Sequence, residues 1–387
     1  MDTRLRGNYH VSMSLCKIEK NSQPHKKEHT NMAKKSITHW QDIVEESNNG
    51  ANIWVGVDVH KRSYSVAVLS ANGVIHTYST SSDNLALINQ FKSRGIKVTR
   101  LVYEAGLTGF TLARACQQDG VPVMVVSPNK IPRPATSGAK TDTIDCIRLA
   151  TLAGKGMLKP IAIPTVEQEE KRALVRRRTQ LSQSIRVAKQ RIKSLLTCHG
   201  LEEPSGLKHW SNSGRELLAK LPVSQRLRRT LDSLMRELDF LEREKKDLEA
   251  EIKQDILPQD DVLQTVPGIG PTIAAAFRAE VFAPERFTHG DQLSSFLGLA
   301  PCVRQSGEGK SRGRLMPAGQ AHLRSLLIEA CWILIRQEKW AADFYLRVKQ
   351  RSGCFQRAIS ALARKLGVLL WRLLLENRAY QSNYGKN

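Results

Sequence analysis

Four carboxylates in this 387-residue sequence occupy positions where they could do chemistry: Asp58, Glu104, Asp142 and Asp145. Asp58 nearly closes the apolar run Ile53-Trp54-Val55-Gly56-Val57-Asp58-Val59, and a carboxylate so placed is costly to desolvate unless a cation or hydrogen-bond donors meet it. Capping the next turn is the plain alternative. Glu104 ends another strand-like run, just before Ala105-Gly106. Asp142 and Asp145 stand three apart at a helix start, so both can face one side with Cβ atoms about 5–6 Å apart. An acid in a first helical turn is also ordinary. Each acid taken singly has an everyday structural explanation. Four of them converging on one pocket would repel one another, and a divalent cation relieves that repulsion while activating a nucleophile and stabilising a phosphorane-like transition state. All-oxygen donors suit a hard ion, so Mg²⁺ (or Mn²⁺) is expected, held by all four.

The elements that must bring these acids together are legible in the periodicity. Residues 53–59, 64–69 and 74–78, the last after an Asn72-Gly73 turn, read as three strands of an antiparallel meander. Ser82-Asp83 offers an N-cap to a helix over 84–92, 99–104 returns as a strand, 107–118 reads helical and 121–126 is an apolar strand. A Pro/Lys/Ser/Gly loop over 127–140 leads to a helix over 141–153. The order βββαβαβ predicts an α/β, ribonuclease-H-like mixed sheet with helices on both faces, in which the first and fourth strands are neighbours. Asp58 and Glu104 then meet at one sheet edge.

A long helix is predicted over 167–197, with apolar positions at Leu174, Leu181, Ile185, Ala188, Ile192 and Leu195. Its other faces carry Lys171, Arg172, Arg176, Arg177, Arg178, Arg186, Lys189, Arg191 and Lys193, with no acid among residues 171–199. Such a face could track a nucleic-acid backbone; a solvated helix surface is the ordinary alternative, and the lack of acids favours binding. A second heptad series runs Leu227, Leu231, Leu234, Leu238, Leu241, Leu248 and Ile252, interrupted by Lys245, so the pair implies a coiled-coil hairpin or a coiled-coil dimer interface. Beyond about 260 the chain reads all-helical. Its Val266-Pro267-Gly268-Ile269-Gly270-Pro271 turn fits either a plain interhelical connection or a helix-hairpin-helix-like element whose Gly268 and Gly270 let backbone N–H groups approach a phosphate. The expected organisation is a polar, disordered extension over 1–50, the acid-bearing domain over 51–158, the basic helix and coiled coil over 166–256, a helical domain over 260–345, and a C-terminal helix and tail over 346–387.

Charge narrows the partners. The chain holds 59 Lys+Arg against 37 Asp+Glu, a net +22, which points to a polyanion and above all to nucleic acid. Hydrophobic content of 41% is that of a globular chain, so the positive charge sits on folded surfaces. Seven cysteines without a CxxC or a matching histidine pair argue against zinc or a disulfide framework and fit a reducing cytoplasm. The first thirty residues lack an apolar stretch and the apolar C-terminal runs are broken by charges, so no signal peptide and no membrane span are expected. Met32 is a second candidate translation start.

With these residues in hand, Gly56-Val57-Asp58-Val59-His60-Lys61, Tyr103-Glu104-Ala105-Gly106 and Lys140-Thr141-Asp142-Thr143-Ile144-Asp145 resemble, in order, the motifs of the DEDD transposases of the insertion-sequence one-ten family. Residues 263–276, Leu297-Gly298-Leu299-Ala300-Pro301, Ser306-Gly307 and 319–324 are similar to that family's C-terminal domain. The resemblance implies a RuvC-like domain in which Asp58, Glu104, Asp142 and Asp145 bind the metal, and a second domain whose serine, here Ser306, attacks DNA. It also implies a likeness to Piv-type DNA invertases and, for several members, guidance by an element-encoded bridge RNA that pairs with target and donor DNA. Gln305, Gln320 and Cys146 depart from the residues common at those positions. Without the resemblance Ser306 would be an ordinary loop serine.

Arg304, Lys310, Arg312 and Arg314 are placed to hold a scissile phosphate, and Lys61, Lys140 and Arg324 complete the expected nucleic-acid contacts. The expected activity is excision and insertion of the element's own DNA by metal-assisted, serine-mediated strand exchange, in the bacterial cytoplasm and on the nucleoid during reaction. The expected partners are donor and target DNA, a guide RNA, and further copies of the chain as a dimer or, when two DNA sites are synapsed, a tetramer. A purely hydrolytic RuvC-like nuclease or junction resolvase, and a basic nucleic-acid-binding protein without catalysis, are the rival expectations.

Overall fold

The structure is a computed structural model that describes residues 40–132, 141–302, 304–306, 309–311, 315 and 319–382. Its first body is a five-stranded sheet of order β3-β2-β1-β4-β5, formed by β1 (Ile53–Val59), β2 (Ser63–Ser70), β3 (Ile75–Ser81), β4 (Val98–Glu104) and β5 (Val123–Val126). The first three strands pair antiparallel, while β1–β4 and β4–β5 pair parallel. Alternation along each strand divides the side chains between two faces. On one face Val55, Val57, Leu101 and Tyr103 are buried in one cluster with Ile43, Leu87, Ile88, Phe91 and Leu112, which come from α1 (Trp40–Asn48), α2 (Asn84–Lys92) and α3 (Thr111–Gln118). On the other, Val102 and Val126 meet Leu149 of α4 (Asp142–Gly154). The mixed ribonuclease-H-like sheet expected from the sequence is therefore present, with helices on both faces.

One boundary is corrected. Residues 40–48, counted above with the polar extension, form α1, because Trp40, Ile43, Val44 and Ser47 follow a helical spacing and place Ile43 in the sheet's core. Trp40 completes the contact, with its ring 4.7 Å from His76 and 5.0 Å from Tyr78 of β3. Residues 1–39 lie outside the described residues.

The second body is a helical hairpin. α5 (Val166–Cys198) opens on a capping box, in which Thr165 and Gln168 each satisfy the other's backbone N–H, and α7 (Gln225–Ile256) opens on Ser224. They pack on each other within the chain. The pairs Arg178–Glu249, Lys189–Glu242 and Arg191–Glu237 run in opposite sequence order, so the two helices are antiparallel. Ile185, Ala188, Ile192, Leu231 and Leu238 are buried between them, together with Leu218 of α6 (Asn212–Ala219). Leu174 and Leu195, expected in the seam, are only partly buried, and their neighbours Val175 and Leu196 are buried instead.

The remaining helices are α8 (Pro271–Glu280), α9 (Gly290–Phe296), α10 (Ala321–Gln337), α11 (Lys339–Ser352) and α12 (Phe355–Glu376), with a short antiparallel pair, β6 (Arg304–Ser306) and β7 (Gly309–Ser311), before α10. A single core holds Phe277, Leu293, Leu327, Leu362 and Leu370, so α12 packs with the helices that precede it rather than standing apart from residue 346 onward. No helix among the described residues is long and apolar enough to cross a membrane.

Candidate metal centre and nucleic-acid interface

The site is built by one close approach. Trp54, Gly56 and Asp58 alternate onto the α4 face of β1, and α4 lies across them in the reverse direction, from Gly154 beside Trp54 to Asp142 near Asp58. A Cβ at Gly56 would stand 2.0 Å from the Cys146 carbonyl oxygen and 2.8 Å from Ala150 N, so only glycine admits the helix this near the strand. Cys146 fixes the same contact. Its thiol donates to the Ser65 carbonyl on β2 at 2.9 Å, and burial pushes that thiol up to about 12, which keeps the proton on sulfur. Thr141 caps α4 by accepting from Ile144 N at 3.3 Å, and the first turn therefore presents Asp142 and Asp145 at the carboxyl end of β1.

Within this frame Asp58 and Asp142 converge on a residue the sequence reading did not single out, His60. Its Nε2 lies 3.2 Å from Asp58 Oδ2 and 3.4 Å from Asp142 Oδ2, and one ligand atom from each of the three lies within 4.8 Å of the others. A signal existed: Asp-x-His at the end of a strand repeats the strand's period of two and returns the third residue to the face of the first. Val57 pairs with Tyr103 in the last pair of the parallel ladder, and Asp58 and Glu104 are the next residues on the two strands, so in sequence they stand one step beyond the same pair. Glu104 is exposed and outside the three-residue group. Asp145 is bound to Arg148 of its own helix at 2.9 Å.

The electrostatics are those of crowded anions. Burial raises the Asp58 carboxyl above its ordinary value of 3.8, the nearby charges of Asp142 and Asp145 raise it further, and His60 partly offsets them. Two carboxylates drawn together with one imidazole nitrogen between them form a donor set that fits a divalent cation. The imidazole makes it a mixed oxygen and nitrogen set, better suited to Mn²⁺ than the all-oxygen set expected from the four acids.

The expected nucleic-acid contacts divide sharply. Lys61 is exposed beside the acids. On α5, however, the acids absent from residue 171 onward are supplied by other parts of the chain. Arg172 and Arg176 meet the buried Glu280 at 3.6 and 2.8 Å, and Arg172 is only 12% exposed. Arg178, Lys189, Arg191 and Lys193 meet Glu249, Glu242, Glu237 and Glu203. Of these seven cations, only Arg177 has no acidic partner among the described residues. Arg324 donates to the Gly298 carbonyl at 3.0 Å, tying α10 to the end of α9.

Gly268 adopts φ +88, and a Cβ there would meet Ala330 O at 2.6 Å, so it serves the packing of α10; at Gly270, which precedes α8, a Cβ would meet open space. Ser306 pairs with Gly309 across the β6–β7 ladder, which also contains Arg304 and Lys310. Lys140, Arg312 and Arg314 lie outside the described residues.

Comparison with known proteins bears on both ends of the chain. Residues 55–199 match a family model described as transposase, of the IS110 DEDD type, and residues 260–346 match one described as transposase of the IS116/IS110/IS902 family. The chain is 27% identical over 334 residues to the transposase for insertion sequence element IS1111A of Coxiella burnetii, covering 84% of this chain and 91% of that one. It is 26% identical over 360 residues to the putative transposase y4qE of Sinorhizobium fredii, covering 84% and 89%. To the putative transposase y4rJ of the same organism it is 29% identical over 364 residues, covering 83% and 91%.

Proposed function

The chain belongs to the IS110 family of transposases, and from that premise we propose that it excises and inserts its own insertion sequence by metal-assisted, serine-mediated DNA strand exchange guided by an element-encoded bridge RNA. It is a DNA transposase, so its substrates are DNA; the chemistry and the guide are the proposal. The observation that carries it is the convergence of Asp58 and Asp142 on His60, with Glu104 next after the last pair at the carboxyl end of the parallel strands. Ligands and substrates of open α/β sheets gather at that end.

Asp58, His60 and Asp142 would hold the cation, with Glu104 and Asp145 at its margin. Held there, a divalent ion would supply polarisation of a phosphoryl oxygen and offset the charge that builds as a phosphodiester is attacked. The chain's own residues supply the rest. Ser306 Oγ forms a bond to the scissile phosphorus as the bond from phosphorus to the leaving deoxyribose oxygen breaks. A carboxylate of the acid site, brought up in the assembled complex, takes the serine proton, and the leaving oxygen is protonated in turn. Attack by a hydroxyl of the second strand reverses these bonds, frees Ser306 and joins the strands, so the phosphodiester energy is conserved without ATP.

Arg304, Lys310, Arg312 and Arg314 would hold the phosphate by charge-assisted hydrogen bonds, and Lys61 and Lys140 the flanking backbone. A dimer, or a tetramer when two DNA sites are joined, would bring donor and target together.

The test is covalent trapping. Purified protein with its co-purifying RNA is mixed with labelled junction and target DNA in Mg²⁺ or EDTA and resolved on a denaturing gel. A Mg²⁺-dependent protein–DNA adduct is expected, absent in Ser306→Ala and strongly reduced in Asp58→Ala. Nicked DNA without an adduct, unchanged by Ser306→Ala, would replace this reading by a hydrolytic nuclease.

A further inference from the structure

The outward face of α7 carries charge that neither the acid site nor the serine domain uses. Of its acids, Glu244, Asp247, Glu251 and Asp255 lie toward its C-terminus, and five are turned aside toward neighbours: Asp232 to Arg228, Glu237 to Arg191, Asp239 to Arg215, Glu242 to Lys189 and Arg215, and Glu249 to Arg178. Its arginines are not. Arg226, Arg229, Arg236 and Arg243 are all exposed, and among the described residues none of them has an acidic partner. At 3.6 residues per turn, Arg229, Arg236, Phe240 and Arg243 fall within about 60° of one another around the helix, opposite the buried Leu231 and Leu238. Arg226 continues the ridge toward the N-terminus, so the four guanidinium groups span about 26 Å. Between the last two of them stands Phe240, 53% exposed.

We propose that this ridge docks a single-stranded stretch of nucleic acid, its arginines gripping successive phosphates and Phe240 stacking on an unpaired base. Four cations in a line without acidic partners call for a polyanion; a second copy of the chain, whose Glu244 and Glu251 could face Arg236 and Arg229 in an antiparallel contact centred on Phe240, is the alternative that the sedimentation arm of the test detects. A duplex seals its bases inside the stack and leaves a phenyl ring nothing to cover, whereas single strands combine a backbone for the cations with exposed π-faces for the aromatic. The ridge shares no residue with the acid site or with the strand pair that carries Ser306, and binding there needs neither metal nor chemistry.

Fluorescence anisotropy on the full chain in EDTA tests it, with 30-nucleotide oligouridylate, 30-nucleotide oligothymidylate and a 30-base-pair duplex across a salt series. Wild type is compared with the triple variant Arg229→Gln/Arg236→Gln/Arg243→Gln, the matching triple Arg→Lys variant and Phe240→Ala, each checked for an unchanged thermal melt. For at least one single strand the Gln triple should raise Kd about tenfold or more and lower the salt slope by about 2, while the Lys triple stays near wild type. Phe240→Ala should raise Kd about fivefold or more with the slope unchanged, because stacking releases no counterions. The two oligonucleotides identify whether RNA or an unwound DNA strand is the better ligand. Kd values within twofold of wild type for both the Gln triple and Phe240→Ala would overturn the proposal. So would a Gln-triple loss that is equal on duplex with Phe240→Ala silent, or a change confined to sedimentation. All of these readouts are independent of strand cleavage, so their failure leaves the transposition chemistry untouched, and the reverse holds.

Discussion

The acid site and the helical hairpin treat carboxylates in opposite ways. At the end of β1, Asp58 and Asp142 are drawn toward each other with a single imidazole between them. Along α5 and α7, acids are distributed one by one against cations: Glu242 accepts from Lys189 and Arg215, Glu249 from Arg178, and the buried Glu280 accepts from Arg176 and forms an ion pair with Arg172 at 3.6 Å. Paired opposite charges hold architecture in place. Crowded like charges oppose folding, so a chain keeps them for what they can bind or catalyse. The two regions should therefore answer mutation with different losses.

The largest effect is expected at Asp58. Asp58→Asn should lower strand cleavage on the order of a thousandfold, since the ligand set is worth several kcal/mol to the reaction, while thermal unfolding in EDTA stays unchanged or moves upward as repulsion with Asp142 and Asp145 is relieved. A large fall in melting temperature would collapse the contrast. Glu280→Ala should do the reverse. It strands Arg172 in a site where the acid is 3% exposed, and a loss of about 3 kcal/mol or more in denaturant unfolding is expected. Gly56→Ala links the two behaviours, because its new methyl would strike the Cys146 carbonyl and push α4 off the strand. About 2 kcal/mol of stability should be lost together with activity, as the acids on α4 move from Asp58.

The smallest effect is in pH. Burial pulls the Glu242 carboxyl upward, but the hydrogen bonds and charges of Lys189 and Arg215 outweigh it and hold it below its ordinary 4.5. Its contribution to stability is thus present above the ordinary value and lost as pH falls through the depressed one. Asp58 has the opposite sign. Its raised carboxyl favours folding below 3.8, and that contribution is lost as pH rises through the raised value. Urea unfolding between pH 3 and 8 in EDTA should show Glu242→Gln costing about 0.5–1 kcal/mol at neutral pH and flattening the acid limb. Asp58→Asn should gain stability toward neutral pH instead. Parallel curves for the two variants would contradict the assignment of opposite electrostatic roles.

How much of this was legible in the sequence follows from the range of the interactions involved. Strand order and the helix over 84–92 were readable because period-two alternation and the Asp83 cap are local. So was the meeting of β1 and β4, which follows from topology once the element order is known. α1 was lost in a polar stretch whose composition hid the spacing of Trp40, Ile43 and Val44. For a deeper reason, the ion pairs of the basic face of α5 are not legible. The acids that meet it are distant in sequence, Glu280 lying 104 residues from Arg176, so a face that looks unneutralised alone is in large part paired by the fold. His60 is not legible as a site residue from the sequence, because its importance comes from Asp142, which arrives from another element. Gly56 likewise becomes intelligible only when α4 lies on it.

The central claim is that crowding at Asp58 is a cation site, and Mn²⁺ binding to the full chain, followed by electron paramagnetic resonance of the free ion, tests it most directly. Wild type should remove Mn²⁺ from the free signal, with affinity reduced at least about tenfold in Asp58→Asn and in His60→Ala, and unchanged in Glu242→Gln. Equal Mn²⁺ uptake by wild type and Asp58→Asn would contradict the account, because the ion would then be held elsewhere.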